Sequence, residues 1–208
     1  MVYFVATPIG NLGDISLRAL ETLKSADVIF CEDTRHSLKL LNRYEIKKPL
    51  VSCHKFNELS AAEKLADLAA EGKTVAVVTD AGTPVISDPG NLLVRTLRER
   101  GLAYTLVPGA CAFVAALVLS GFPADKFAFL GFLRGKTSEK RAFLKNYADF
   151  DGTLLFYSAP QDVDSDIALL SEAFGNREAC AVREITKVHE SAEYFSLAAG
   201  LAGEKRGE

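Results

Sequence analysis

Thr79-Asp80-Ala81-Gly82-Thr83-Pro84-Val85-Ile86-Ser87-Asp88-Pro89-Gly90 joins two segments of different period. Before it, Thr74-Val75-Ala76-Val77-Val78 is a charge-free, β-branched run, the pattern of a strand buried on both faces. After it, Leu92-Leu93-Val94-Arg95-Thr96-Leu97 has helical spacing, and the helix is predicted to run to about Arg100. Strand-to-helix loops normally span about two to six residues. This one is longer and carries two Pro, two Gly and two Asp. In open α/β sheets ligands bind at the loops leaving the carboxyl ends of strands, so the segment reads as a ligand loop rather than a connector.

The same alternation extends outward. Upstream, strands are predicted at Val2 to Ala6, Val28 to Cys31 and Leu50 to Cys53. Helices are predicted from Ser16 to Ser25, with Ser16 as cap and Leu17, Leu20 and Leu23 on one face, and after Thr34, where Leu38, Leu40 and Leu41 recur. A third spans 58–71, with Ser60 and Glu63 as a capping box and Gly72 as its stop. Downstream, Tyr104 to Val107 is a strand, and Pro108-Gly109 opens a small-residue helix over 110–119. Repeated β-α units with short loops imply a mostly parallel sheet.

Gly121-Phe122-Pro123 reads as a boundary, giving an α/β domain over 1–121 and a smaller α/β domain over 122–208. In the second, strands are expected at Phe127 to Leu133, Thr153 to Tyr157, Ala179 to Ile185 and Tyr194 to Ser196, with helices from Ser138 to Tyr147 and over 161–174. Phe127, Phe129 and Phe132 are expected in its core.

The chain has 208 residues, 49% hydrophobic and 25% charged, with a net charge of -3, so it can bury a core and is no general polyanion binder. Cys31, Cys53, Cys111 and Cys180 show no CxxC spacing. They read as buried free thiols in a reducing compartment, and no metal site is expected. The start, Met1-Val2-Tyr3-Phe4-Val5, runs straight into a strand, so no signal peptide is expected. The uncharged run over 101–124 is broken by Pro108-Gly109 and Gly121-Phe122-Pro123, which argues against a membrane span. A cytoplasmic protein is the expectation.

Four loops leave the carboxyl ends of the predicted strands: Thr7-Pro8-Ile9-Gly10-Asn11, Glu32-Asp33-Thr34-Arg35, the loop over 79–90, and Pro108-Gly109-Ala110-Cys111-Ala112. None is a GxGxxG or GxxxxGK[ST] pattern, which argues against pyrophosphate cradling. A ligand held by backbone amides and carbonyls fits better.

With these loops stand Thr7-Pro8-Ile9-Gly10-Asn11-Leu12-Gly13-Asp14-Ile15, Cys31 to Arg35, Asp80 to Gly90, Val107 to Ala110 and Arg183-Glu184-Ile185-Thr186-Lys187, in order. Together they resemble the ribosomal RNA small subunit methyltransferase I family, a branch of the tetrapyrrole methylase superfamily, over essentially the whole chain. The resemblance implies two α/β domains with S-adenosylmethionine in the cleft between them, a homodimer, and methylation of a cytidine ribose 2′-oxygen in small-subunit ribosomal RNA. By position in the pattern, Pro8, Asp80, Ala81, Gly82, Thr83, Ile86, Cys111, Ala112, Tyr157, Ser158 and Ile185 are the implied cofactor residues. Many relatives carry Tyr-Glu-Ser-Pro-His-Arg where this chain has Tyr157-Ser158-Ala159-Pro160-Gln161-Asp162, and His-x-His-Asn-Glu where it has His54-Lys55-Phe56-Asn57-Glu58. Relatives usually continue beyond Gly203-Glu204-Lys205-Arg206-Gly207-Glu208 into an apolar strand, so the second domain is expected to lack its last strand.

A ribose hydroxyl is a poor nucleophile and benefits from a general base. Glu32, Asp33, Arg35, His54, Glu58 and Lys187 are the candidate catalytic residues, with Asn11 and Asn57 also at the loop edge. Each has a plainer reading. Asp33 could cap a helix, Arg35 and Glu32 could pair, and Lys187 and Glu184 could alternate on a half-buried strand. RNA contact has to be local. Arg35, Lys39, Arg43, Lys47 and Lys48 form one basic segment, and Arg134, Lys136, Lys140, Arg141 and Lys145 another, each opposed by one Glu. Both also fit solvated helix faces. Two other readings stay open, a tetrapyrrole methyltransferase and a non-catalytic RNA-binding relative.

Overall fold

The computed structural model describes residues 1–203, and the expectation about the final residues lies outside them. The chain divides into two compact units, Met1–Cys111 and Ala112–Glu208.

The first unit holds β1 (Val2–Val5), α1 (Leu17–Ser25), β2 (Val28–Cys31), α2 (Thr34–Arg43), β3 (Leu50–Ser52), α3 (Glu58–Ala70), β4 (Val75–Val78), α4 (Asn91–Glu99) and β5 (Tyr104–Val107). Its five strands run in the order β3-β2-β4-β1-β5, and every pairing is parallel. The expected parallel sheet is therefore present, with β4 at its centre. Successive side chains alternate between faces. Phe30, Val75 and Val77 pack on one side with Leu65 of α3 and Leu93 and Leu97 of α4. Ile29, Cys31, Ala76 and Val78 pack on the other with Leu23 of α1 and Leu41 of α2. Covering on both faces is why β2 and β4 are apolar at every position.

Local chemistry sets the helix ends. The Ser16 hydroxyl accepts from the Ala19 N–H at 3.1 Å, as expected. Leu17 does not join the apolar face and is 79% exposed, because the stripe falls on Ala19, Thr22 and Leu23 instead. Ser60 and Glu63 form no capping box. The helix begins at Glu58, which puts Ser60 inside the first turn, where its hydroxyl donates to the Asn57 carbonyl at 3.0 Å. Glu63 pairs with Arg100 at 3.3 Å. The Arg35–Glu32 pair is replaced by Arg35–Asp33, at 2.9 Å.

The second unit holds α5 (Ala112–Ser120), β6 (Phe127–Phe132), α6 (Thr137–Lys145), β7 (Thr153–Tyr157), α7 (Val163–Phe174), β8 (Glu178–Arg183) and β9 (Ser191–Ser196). β6 and β7 are parallel, and β8 and β9 form an antiparallel pair. The compact division precedes α5, which lies upstream of the Gly121-Phe122-Pro123 turn. The helix opened by Pro108-Gly109 starts only at Ala112. Phe127 and Phe132 are not core; they are 43% and 42% exposed, while Phe129 stacks on Phe113 at 4.3 Å between ring centroids. Strand β8 stops at Arg183, so Glu184 to Lys187 lie in a turn rather than on a strand. The reason is backbone conformation, with Glu184 at φ 51° and Thr186 at φ 65°. Cys31 and Cys53 are buried free thiols, whereas Cys111 and Cys180 are half-buried. No helix among the described residues is long and apolar enough to cross a membrane.

Candidate functional site

All five strands of the first sheet are parallel, so their carboxyl-end loops share one edge. The loop over 79–90 is tied to each of the others by a different bond. To the loop after β1 it makes a two-bond bridge: the Thr7 N–H donates to the Gly82 carbonyl at 2.9 Å, and the Gly82 N–H to the Thr7 carbonyl at 3.1 Å. The Thr7 hydroxyl adds a bond to the Thr79 carbonyl at 3.3 Å. To the loop after β2, Asp80 Oδ1 accepts from the Asp33 N–H at 3.1 Å. To the loop after β5, the Thr83 hydroxyl donates to the Ala110 carbonyl at 3.1 Å. To the start of α3, Glu58 Oε1 accepts from the N–H groups of Gly90 at 2.8 Å and Leu92 at 3.0 Å. A segment that sequence alone leaves as an open loop is thereby an ordered surface.

The backbone of this loop is strained as well as tied. Gly82 and Gly90 take φ of 77° and 127°, which glycine adopts readily. Val85 at φ 79° and Ser87 at φ 65° are not glycine, and a β-branched residue in that region is an outlier. Such conformations cost of order 1–3 kcal/mol each and concentrate at ligand sites. Close approach is built in too. A Cβ on Gly109 would stand 3.0 Å from the Ala6 Cβ, and one on Gly82 would stand 3.3 Å from the Ile9 Cγ2.

The edge is acidic. Burial first, then the Asp80, Asp88 and Asp33 carboxylates, pushes the Glu32 carboxyl up to about 7. Burial, opposed by a Thr79 hydrogen bond and aided by Asp80, pushes Asp88 up to about 6. Asp33 is the exception. Its side chain caps α2 at the Arg35 N–H, 2.8 Å, and the Arg35 guanidinium, donating from Nε at 3.2 Å and Nη2 at 2.9 Å, holds it down at about 2. Asp88 is a member of this group that the sequence does not single out.

The other candidates sort by their contacts. Glu58 is occupied by capping α4. His54 Nδ1 accepts from the Phe56 N–H at 3.3 Å. Lys187 pairs with Glu184 at 3.1 Å in the second unit. Of the implied cofactor residues, Pro8, Asp80, Ala81, Gly82 and Thr83 lie together around the Thr7–Gly82 bridge, Ile86 follows in the same loop, and Cys111 adjoins Ala110. Ala112, Tyr157, Ser158 and Ile185 belong to the second unit. There the Tyr157 hydroxyl accepts from the Phe113 N–H at 3.1 Å. Ser158 donates to Asp166 Oδ2 at 2.7 Å, whose other oxygen takes Lys140 at 2.8 Å. Ile185 sits between the two positive-φ residues Glu184 and Thr186. Among the basic candidates, Arg35 pairs with Asp33, Lys140 with Asp166 and Arg141 with Glu172. The local positive charge is thus smaller than the residue count indicates.

The family profile of tetrapyrrole (corrin/porphyrin) methylases matches residues 1–198. Ribosomal RNA small subunit methyltransferase I of Thermotoga maritima is 45% identical over 192 residues, covering 92% of this chain and 85% of its own length. The protein of that name from Pseudomonas aeruginosa is 40% identical over 214 residues, covering 100% and 76%. Among solved structures, the methyltransferase CobJ matches with a TM-score of 0.74 at 20% identity, covering 96% of this chain and 87% of that one. Uroporphyrin-III-C-methyltransferase from Thermus thermophilus matches at 0.65 and 22% identity, covering 95% and 85%. At those identities the structural likeness speaks for the fold alone. Profile, relatives and parallel-sheet architecture agree: the chain belongs to the tetrapyrrole methylase family, in the branch of the ribosomal RNA small subunit methyltransferase I proteins.

Proposed function

We propose that this chain transfers a methyl group from S-adenosylmethionine to a cytidine ribose 2′-oxygen of small-subunit ribosomal RNA. The observation that carries the donor half is the loop over 79–90, an ordered, glycine-containing edge tied to Thr7, Asp33, Ala110 and Glu58. Its chemistry fits the donor. S-adenosylmethionine carries a sulfonium and an ammonium, and the acidic edge of Glu32, Asp80 and Asp88 suits cations rather than phosphates. Small residues at Ala81, Gly82 and Ala110 leave backbone open to weak C–H···O contacts. Pro8, Asp80 to Thr83, Ile86 and Cys111 are the residues of the first unit proposed to hold it. When bound, the donor supplies an electrophilic methyl.

The chain's own work is alignment and proton removal. In-line placement of the hydroxyl supplies much of the rate. Glu32 is the proposed general base, since its carboxyl near 7 suits proton acceptance at neutral pH and its rivals are occupied. The acceptor half rests on the relatives' names. Lys39, Arg43, Arg134 and Lys136 are proposed phosphate contacts, and the active form is proposed to be a homodimer in the cytoplasm.

The test is methyl incorporation from labelled S-adenosylmethionine into small ribosomal subunits, run beside a uroporphyrinogen-type acceptor. Labelling of ribose in the subunit RNA is the expected result. Labelling of the tetrapyrrole alone would overturn the acceptor, and absence of donor binding in a thermal-shift titration would overturn both halves.

A further inference from the structure

The turn from β3 into α3 carries a feature that donor binding leaves unused. Phe56 is 93% exposed, and its ring makes an edge contact with His54 at 6.1 Å between centroids. An exposed aromatic is ordinary on a disordered loop, but this turn is fixed at both ends. Asn57 Oδ1 accepts from the His54 N–H at 2.7 Å, and Asn57 Nδ2 donates to the Ser52 carbonyl at 3.0 Å. The Phe56 N–H donates back to His54 Nδ1. The Asn57 N–H donates to the His54 carbonyl at 3.0 Å, closing the turn. The ring is therefore held with its apolar faces in water, area that a partner stacking on it would cover.

Its position and charge identify the partner. The turn leaves the carboxyl end of β3, on the edge shared with the loop over 79–90. Glu58, two residues on, bonds directly to Gly90 at the end of that loop. The Glu58 carboxylate is consumed by the α4 cap, and Lys55 forms no ion pair among the described residues, so the turn shows a net cation beside its aromatic. An aromatic face with an adjacent Lys is the combination that holds unpaired nucleobases, the ring stacking and the ammonium meeting the backbone. We propose that Phe56, flanked by Lys55 and His54, is the stacking platform for an unpaired base of the RNA substrate, next to the methylated nucleotide. The inference rests on the methyltransferase reading above.

The test compares wild-type protein, Phe56→Ala and Phe56→Tyr with a single-stranded RNA oligonucleotide carrying 2-aminopurine. Stacking on an aromatic predicts that Phe56→Ala weakens binding roughly tenfold and loses the 2-aminopurine quench, while Phe56→Tyr stays near wild type. The salt dependence should not change, because no charge is lost. Binding of S-adenosylmethionine by Phe56→Ala should match wild type, confirming an intact fold. RNA affinity of Phe56→Ala equal to wild type overturns the proposal, as does a change confined to self-association, which would assign the ring to a protein contact. Failure of the methyltransferase reading looks different: wild type would bind the oligonucleotide in a Phe56-dependent way yet transfer no methyl group to small subunits. A wild type that binds no oligonucleotide overturns the stacking proposal, while methylation of small subunits alone decides the methyltransferase reading.

Discussion

Glu58, on the first turn of α3, and Gly90, at the head of α4, are joined by a hydrogen bond of 2.8 Å from the Gly90 N–H to Glu58 Oε1. The same oxygen takes the Leu92 N–H at 3.0 Å, so one carboxylate from a neighbouring helix does the work of an N-cap that Gly90 cannot do for itself. An anion there also faces the positive end of α4. The bond closes the loop over 79–90 at the end opposite the Thr7–Gly82 bridge.

Glu58→Ala strands two N–H donors, that of buried Gly90 among them, and should lower stability by about 1–3 kcal/mol in urea denaturation. Glu58→Gln keeps an acceptor and should lose less. Both should weaken S-adenosylmethionine binding by calorimetry, because the loop end is freed. Equal stability of Glu58→Ala and wild type would show that the cap is not used.

Gly82→Val should reduce S-adenosylmethionine affinity at least tenfold while the protein stays folded. The residue stands at φ 77°, which a β-branched side chain disfavours, and its new Cβ would press on Ile9 Cγ2 at 3.3 Å. Far-ultraviolet circular dichroism checks the fold, and methylation at the wild-type rate would remove the loop from the donor site.

The acidic edge makes stability fall as pH rises. Glu32 has a folded-state carboxyl raised to about 7 from an ordinary 4.5, and Asp88 one raised to about 6 from 3.8. The folded state therefore binds more protons than the unfolded one between those values, and stability present below the ordinary values is lost as pH climbs through the raised ones. Melting temperature against pH should show that loss between about pH 4 and 7. Glu32→Gln should raise the melting temperature at pH 8 and leave it near wild type at pH 4, where Glu32 is already neutral. The same variant should slow methyl transfer by about 10²- to 10⁴-fold above pH 7, where Glu32 is ionised, with the difference narrowing as pH falls and the wild-type carboxyl takes up its proton.

In the second unit, Lys140 and Asp166 are 14% and 7% exposed in their side chains, with Ser158 on the second carboxylate oxygen. Removing one partner leaves a buried charge. Lys140→Met and Asp166→Ala should each cost about 3–5 kcal/mol, and the pair together less than their sum, in a double-mutant cycle of urea denaturation. By contrast, Arg141→Ala breaks a pair whose two side chains are each 54% exposed and should cost under about 1 kcal/mol.

Which parts of this protein were legible in its residues follows from how far each determinant reaches. The strands at Val28 to Cys31, Thr153 to Tyr157 and Tyr104 to Val107 and the long loop over 79–90 depend on runs of a few residues, and those runs stand where the periodicity put them. The parallel sheet followed from alternation alone, because a crossover helix permits little else. Contacts between distant segments were not legible. Asp33 read equally as chemistry or as a cap, and Glu58 as chemistry, until the folded chain set Glu58 against Gly90 and Arg35 over Asp33. Likewise, Ser60 and Glu63 satisfied a local capping rule, but with the helix starting at Glu58 and Asn57 at its cap position Ser60 falls inside the first turn. Nor does local sequence mark Asp88 or raise Glu32 to about 7, since both effects come first from burial in the folded edge, and for Glu32 also from Asp80 and Asp88 of another loop. Sequence by itself determined the elements, their order and the family they belong to. Tertiary structure alone decided which polar side chains are spent on holding the loops and which are left for chemistry, because hydrogen bonding and desolvation are properties of the assembled edge and not of any segment within it.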